Sequence, residues 1–256
     1  MRKRYGLALG SGGAKGVVHI GALQALHEEG IKFDVTAGTS IGSIVAGMYA
    51  LNYSAREMIN VIEEMSFTKS GWLINMKFKN LSLEDKLKEV LGEKSFSDLK
   101  IPYKAVATDV DTGEEVVIDK GDLCKAMAAS SAIPPAFKPV IIDGRRLIDG
   151  AFTNSIPADV CKKMGANYVL GIDLSGENPM NFSAVSVLNL FYKEHKIKKG
   201  SRSYNGYRFA DVIIAPDLRK YKLFNMGNSK VLFDIGYTLV KNNINFIKER
   251  LKLHRK

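Results

Sequence analysis

Hydrophobic positions along this chain switch period repeatedly. Arg4 to Leu9 is a short apolar run with the pattern of a buried strand, and it stops at Gly10-Ser11-Gly12-Gly13-Ala14-Lys15-Gly16. Val17, Val18, Ile20, Leu23 and Leu26 then fall at helical spacing, with Gly30 placed to end the helix. A second β-favouring run (Ile31, Phe33, Val35) passes through Gly38-Thr39-Ser40-Ile41-Gly42 directly into a helical pattern from Ile41 to Leu51. Ser54-Ala55-Arg56-Glu57 has the capping-box form for a helix to about Met65, and a short helix from Ser82 to Leu91 is stopped by Gly92. Between these two, Ser66 to Asn80 mixes Phe67, Trp72, Leu73, Ile74, Met76 and Phe78 with polar residues at no clean period. That stretch reads either as a lid or interfacial loop or as a segment packed on the domain.

Further along, Tyr103 to Val110 and Glu115 to Asp119 read as a hairpin turning at Asp111-Thr112-Gly113. Asp122 is placed to cap a small-residue helix through Ala129, which Pro134-Pro135 terminates. Val140 to Asp149 reads as a second hairpin, turning at Asp143-Gly144 and delivering Asp149-Gly150-Ala151 at its end. Pro157 fits the first position of a helix, and Tyr168 to Leu174 and Ala210 to Ala215 are further apolar strands. Asn228 to Leu253 has the spacing of one long closing helix. Strands alternating with helices predict an α/β fold whose mostly parallel sheet gathers the glycine loop and the Ser40 turn at one edge, where ligands of such sheets bind. No repeat, low-complexity tract or linker breaks the pattern, so residues 1–256 read as a single domain.

Composition changes this picture in only two respects. Lys and Arg outnumber Asp and Glu by 37 to 27, a net charge of +10. Such an excess favours anionic surfaces or simply keeps a protein dissolved, and the chain has no helix-turn-helix, zinc-ligand or aromatic RNA-binding signature, so nucleic acid is not an expected partner. Cys124 and Cys161 sit in apolar contexts without metal spacing, which fits reduced thiols in the cytoplasm. The apolar stretch after Met1-Arg2-Lys3-Arg4 is too short for a signal-peptide core, and none approaches the length of a membrane-spanning helix.

The candidate chemistry centres on Ser40. Gly38 and Gly42, two residues to either side, suit the sharp strand-to-helix turn of a nucleophile elbow, which leaves the hydroxyl at a helix N-terminus. The glycine loop has a direct use beside an activated serine, since its amides can hold the oxyanion of a tetrahedral intermediate. It fails as a dinucleotide fingerprint, which would start at Gly10 but meets Lys15 in its last position, and as a P-loop, because Lys15 precedes Gly16 with no Ser or Thr after it. Among histidines, His19 and His27 lie on the first helix, His195 in a lysine-rich run and His254 in the tail. The order Ser40, Asp149, His195 is that of an α/β-hydrolase triad, although that fold places several strands before its elbow and here only one clear strand precedes it.

The series Gly10 to Gly16, His19-Ile20-Gly21, Gly38-Thr39-Ser40-Ile41-Gly42, Ala129-Ser130-Ser131-Ala132-Ile133-Pro134 and Asp149-Gly150-Ala151 resembles the patatin-like phospholipase family, and within it the bacterial members related to neuropathy target esterase. The resemblance runs from about Tyr5 to Leu174. It implies a three-layer α/β/α fold and a Ser-Asp dyad without histidine that cleaves acyl esters of phospholipids or lysophospholipids. On this resemblance Ser40 is the nucleophile, Asp149 its base, and Gly12, Gly13, Ala14 and Lys15 line the oxyanion hole, with no metal or organic cofactor. Two positions depart from the pattern: Ser11 stands where many members have glycine, and Ile41 is bulkier than the residue often found after the serine. An aspartate with an ordinary pKa of about 3.9 is a weak base, so one working at neutral pH calls for desolvation or a strong contact with the serine hydroxyl.

Two other readings remain open at this stage: a His-dependent esterase or thioesterase, and a catalytically silent regulator on the same fold. The basic residues Lys193, Lys196, Lys198, Lys199 and Arg202, with Trp72, suggest peripheral contact with an anionic inner membrane face.

Overall fold

A computed structural model describes residues 2–65, 82–174, 207–221 and 226–253. The segment around Trp72, the basic run from Lys193 to Arg202 with His195, and His254 lie outside the described residues. In chain order the elements are β1 (Tyr5–Leu9), α1 (Val17–Glu28), β2 (Val35–Thr39), α2 (Ile41–Ala50), α3 (Ala55–Glu64), α4 (Leu83–Leu91), β3 (Tyr103–Asp109), β4 (Glu115–Ile118), α5 (Leu123–Ser131), β5 (Val140–Ile142), β6 (Arg145–Asp149), α6 (Ala158–Lys163), β7 (Tyr168–Ile172), β8 (Val212–Ile214), α7 (Ser229–Asn242) and α8 (Ile244–Arg250).

The strands form one sheet in the order β5-β6-β3-β2-β1-β7-β8, with β4 also paired to β3. Pairs among β3, β2, β1, β7 and β8 are parallel, whereas β4 and β6 run antiparallel to β3 and β5 antiparallel to β6. Alternation along the central strands separates two cores. Leu7, Leu9, Ala105, Leu170 and Ile172 join the large cluster built with α1, α2 and α5, while Ala8, Val35, Val106 and Val169 point the other way onto Ala158, Val160 and Cys161 of α6. Helices cover both faces, which is the expected three-layer α/β/α arrangement, and explains why β2 is buried at every position.

Local signals act where the sequence puts them. Ser54 and Glu57 form a reciprocal capping box, Ser82 caps α4 with Asp85, and Asp122 accepts the Lys125 N–H to start α5. Asp143 and Gly144 both take positive φ (50° and 77°), the geometry of a tight two-residue hairpin turn between β5 and β6.

The closing segment differs from expectation. The apolar spacing from Asn228 to Leu253 predicts one helix, but α7 and α8 are separated at Asn243 (φ −113°, ψ 12°). There the Asn243 amide donates to Leu239 O (2.8 Å) and its N–H turns back to Val240 O (3.1 Å). A short polar side chain that competes for backbone groups interrupts the helix while both halves keep their apolar face. Upstream of the break, α7 crosses α1 backbone to backbone: a Cβ on Gly21 would run into Phe233 O, and one on Gly236 into Val18 O. Glu29, the residue just after α1, accepts Lys241 (2.9 Å) and Lys248 (2.7 Å), fixing both closing helices to α1.

Candidate active site

Strand β3 brings the two predicted reacting residues together. Its Ala105 and Val106 pair with both β2 and β4, and its Ala107 and Thr108 with both β4 and β6, so β2 and β6 must share the same edge. They meet on it head to head. Thr39, the last residue of β2, lies opposite Val106, and Asp149, the last residue of β6, lies opposite the next position, Ala107. Ser40 follows Thr39 directly. The register of one strand therefore places Ser40 beside Asp149 across 109 residues of sequence, the difference of their numbers.

The turn at Ser40 is the sharp elbow that its flanking glycines suggest. Ser40 has φ 57° and ψ −131°, a conformation that costs a side-chain-bearing residue on the order of 1–3 kcal/mol. A Cβ on Gly38 would strike the Gly42 carbonyl, and one on Gly42 the Leu9 and Gly10 carbonyls, so no other residue fits either place. Ser40 O accepts the Ser43 N–H (2.8 Å) to start α2, and the Ser40 N–H donates to Ser130 O (3.1 Å) and Ser130 Oγ (3.0 Å). The residue itself is buried, with 4% exposed.

Asp149 is 1% exposed. Its Oδ1 accepts the Ala151 N–H (2.8 Å) and its own N–H donates to Ala132 O (3.0 Å). Burial pushes the carboxyl up to about 6 from its ordinary 3.8, against the smaller downward pull of the Ser40 hydroxyl and the Ala151 N–H. The hydroxyl is near enough to exert that pull, yet Asp149 Oδ2 has no hydrogen-bond partner. Gly150 is required next, because a Cβ there would collide with Val106 O.

The glycine loop lies against the elbow. Gly10 N–H donates to Ile172 O (2.9 Å), Ser11 N–H to Ser155 O (3.0 Å) and Lys15 N–H to Gly12 O (3.2 Å). Among the described residues the Gly12 and Gly13 amides make no hydrogen bond, and Gly13 has φ 56°. Lys15 Nζ reaches Leu174 O (3.4 Å), and Ala14 is buried. The two departures from the family pattern have local explanations. The Ser11 hydroxyl pairs with that of Ser155 (2.7 Å), and the Ile41 side chain occupies the space that a Cβ on Gly16 would need.

Among the described residues no histidine hydrogen-bonds to Ser40 or Asp149. His19 is fully buried with Nε2 against Gly10 O (2.8 Å), and burial lowers its pKa to about 4, so the neutral ring donates to that carbonyl and props the loop. His27 is exposed on α1. No group of three His, Cys, Asp or Glu side chains is placed to hold a metal among the described residues. The sequence pointed to the Ala129-Ser130-Ser131-Ala132 motif without a role for it. The structure shows that Ser130 and Ala132 hold the backbones of Ser40 and Asp149.

A patatin-like phospholipase family profile matches residues 7–162. Over 194 residues the chain is 36% identical to a patatin-like phospholipase domain-containing protein of Caenorhabditis elegans, covering 69% of this chain and 14% of that one. It is 27% identical to neuropathy target esterase sws of Drosophila melanogaster (93% of this chain, 19% of that one) and 34% identical to an uncharacterized NTE family protein of Mycobacterium bovis (68% and 49%). The chain thus matches less than half the length of each of these relatives. Among solved structures, human GIVD cytosolic phospholipase A2 superposes with a TM-score of 0.59 at 10% identity, covering 98% of this chain and 62% of that one. The same human enzyme has been solved with methyl γ-linolenyl fluorophosphonate, described there as an inhibitor (TM-score 0.57, 13% identity). VipD from Legionella pneumophila superposes with a TM-score of 0.52 at 13% identity, covering 94% and 67%. The matched stretch contains the glycine loop, the Ser40 elbow and the Asp149-Gly150 pair, and the chain belongs to the patatin-like phospholipase family.

Proposed function

We propose that this protein is a serine acyl hydrolase with a Ser40–Asp149 dyad, acting on carboxylic esters of phospholipids or lysophospholipids. The observation that carries the reading is the head-to-head meeting of β2 and β6 on β3, which sets the elbow serine beside a buried carboxylate of raised pKa. Asp149 Oδ2 takes the proton from Ser40 Oγ as the oxygen attacks the ester carbonyl. The carbonyl oxygen becomes an oxyanion, held by the Gly12 and Gly13 amides with Ala14 and Lys15 flanking them. Collapse of the intermediate expels the alcohol portion, which recovers the proton from Asp149. Water, deprotonated by the same carboxylate, then attacks the acyl-enzyme; the bond between Ser40 Oγ and the acyl carbon breaks, Oγ recovers the proton from Asp149, and the fatty acid leaves. The lipid class of substrate rests on family membership and on the phospholipase and esterase names of the relatives, and the whole chain is taken as one domain.

Labelling by a fluorophosphonate probe, read by intact mass, tests the assignment. Wild type and His195→Ala should gain one adduct, Ser40→Ala none, and Asp149→Ala should react at least a hundredfold more slowly. Labelling that survives Ser40→Ala, or is lost in His195→Ala, would replace the dyad with a different nucleophile or a triad.

A further inference from the structure

The last turn of α5 touches both members of the dyad through their backbones. Helix ends leave their final carbonyls without intrahelical partners. Here the Ser130 and Ala132 carbonyls accept the N–H groups of Ser40 (3.1 Å) and Asp149 (3.0 Å). Ser130 adds its side chain: Oγ accepts the same Ser40 N–H (3.0 Å) and donates to Val106 O (2.5 Å). Val106 is the strand position opposite Thr39, one step from the partner of Asp149. The hydroxyl is therefore fixed at both ends, and it ties the elbow to the strand that sets the register of the site. Ser130 is fully buried, and no hydrogen bond joins it to the Ser40 hydroxyl or the Asp149 carboxylate. A residue held at positive φ persists only where its surroundings over-determine it, and Ser40 is such a residue.

We infer that Ser130 is a positioning residue, whose hydroxyl fixes the backbone of Ser40 at the angle from which its oxygen meets the Asp149 carboxylate. This inference rests on the dyad proposed above. It assigns to the Ala-Ser-Ser-Ala stretch a task distinct from chemistry, since Ser130 acts only through Ser40.

The test compares wild type, Ser130→Ala, Ser130→Thr and Ser40→Ala in hydrolysis of a soluble p-nitrophenyl ester, with melting temperatures taken in parallel. Ser130→Ala should fold with a melting temperature near that of wild type, keep KM within about twofold and lose roughly 10- to 100-fold in kcat, as expected when reacting atoms are misplaced by a fraction of an ångström. The midpoint of its pH profile should move upward, because a displaced Ser40 hydroxyl no longer draws down the pKa of Asp149. Ser130→Thr retains the hydroxyl and should recover most of the loss. If Ser130→Ala does not fold, Ser130→Cys gives the same comparison, being close in size and a weak hydrogen-bonding group. Ser130→Ala with kcat within twofold of wild type would overturn the inference. So would a loss that Ser130→Thr does not recover and that follows a fall in melting temperature. Undiminished hydrolysis by Ser40→Ala would instead remove the dyad, and this inference with it.

Discussion

Burial suits Asp149 to the part of base in the proposed dyad and is at the same time a strain on the fold. With its pKa near 6 the carboxylate is ionised at neutral pH but still basic enough to accept a proton, so kcat/KM should rise roughly tenfold between pH 5 and pH 7 and level off above. A pH-rate profile with its acid limb near 4 would contradict that burial. The same shift has the opposite effect on stability. A carboxyl whose folded pKa lies above its unfolded value favours the native state only while protonated, and that advantage disappears as pH rises from 3.8 to about 6. The difference corresponds to about 3 kcal/mol. Asp149→Asn should therefore be inactive yet melt higher than wild type at pH 7, with the gap closing towards pH 4. The sharp turn at Ser40 was legible from Gly-x-Ser-x-Gly, and the hairpin that ends in Asp149-Gly150-Ala151 from its Asp143-Gly144 turn. His19 and Ser130 were not, because their side chains meet backbone groups inside the fold, His19 at Gly10 O and Ser130 at the Ser40 N–H and Val106 O, and such buried hydrogen bonds leave no local pattern.

Among elements, those with local causes were legible and those set by pairing were not. Capping residues announce α3, α4 and α5, and Asp143-Gly144 announces the β5–β6 hairpin. Nothing in the β6 sequence says that it will dock on β3 above β2, since register along a shared edge depends on three strands at once. Asn243 was hidden for another reason, because the apolar face runs on across the break. The α1–α7 crossing gives a sharp stability prediction. In an ordinary helix Gly→Ala gains up to about 1 kcal/mol. At Gly236 the new methyl would instead press on the Val18 carbonyl, a backbone atom that cannot step aside. Overpacking of this kind costs about 1–3 kcal/mol. Gly236→Ala should thus lower the urea midpoint without changing the m-value, whereas a raised midpoint would mean that the helices separate easily.

The whole molecule carries a net charge of +10, of which the sequence alone gives the sign. If that charge meets an anionic membrane, co-sedimentation with phosphatidylserine vesicles should be strong at about 50 mM salt and largely lost at about 500 mM, where the screening length shrinks to a few ångströms. Retention unaffected by salt would assign the contact to apolar residues instead. The sheet has a consequence of another kind. Ser40 belongs to the early half of the chain and Asp149 to the late half, and the register of β3 lines them up. A nascent or partly opened chain can present its serine, but the carboxylate gains its basicity only when β6 has docked and water is shut out. With the proposed dyad, activity would be locked to completed assembly: intermediates would be silent, and a substrate would meet a working catalyst only where the chain has fully closed.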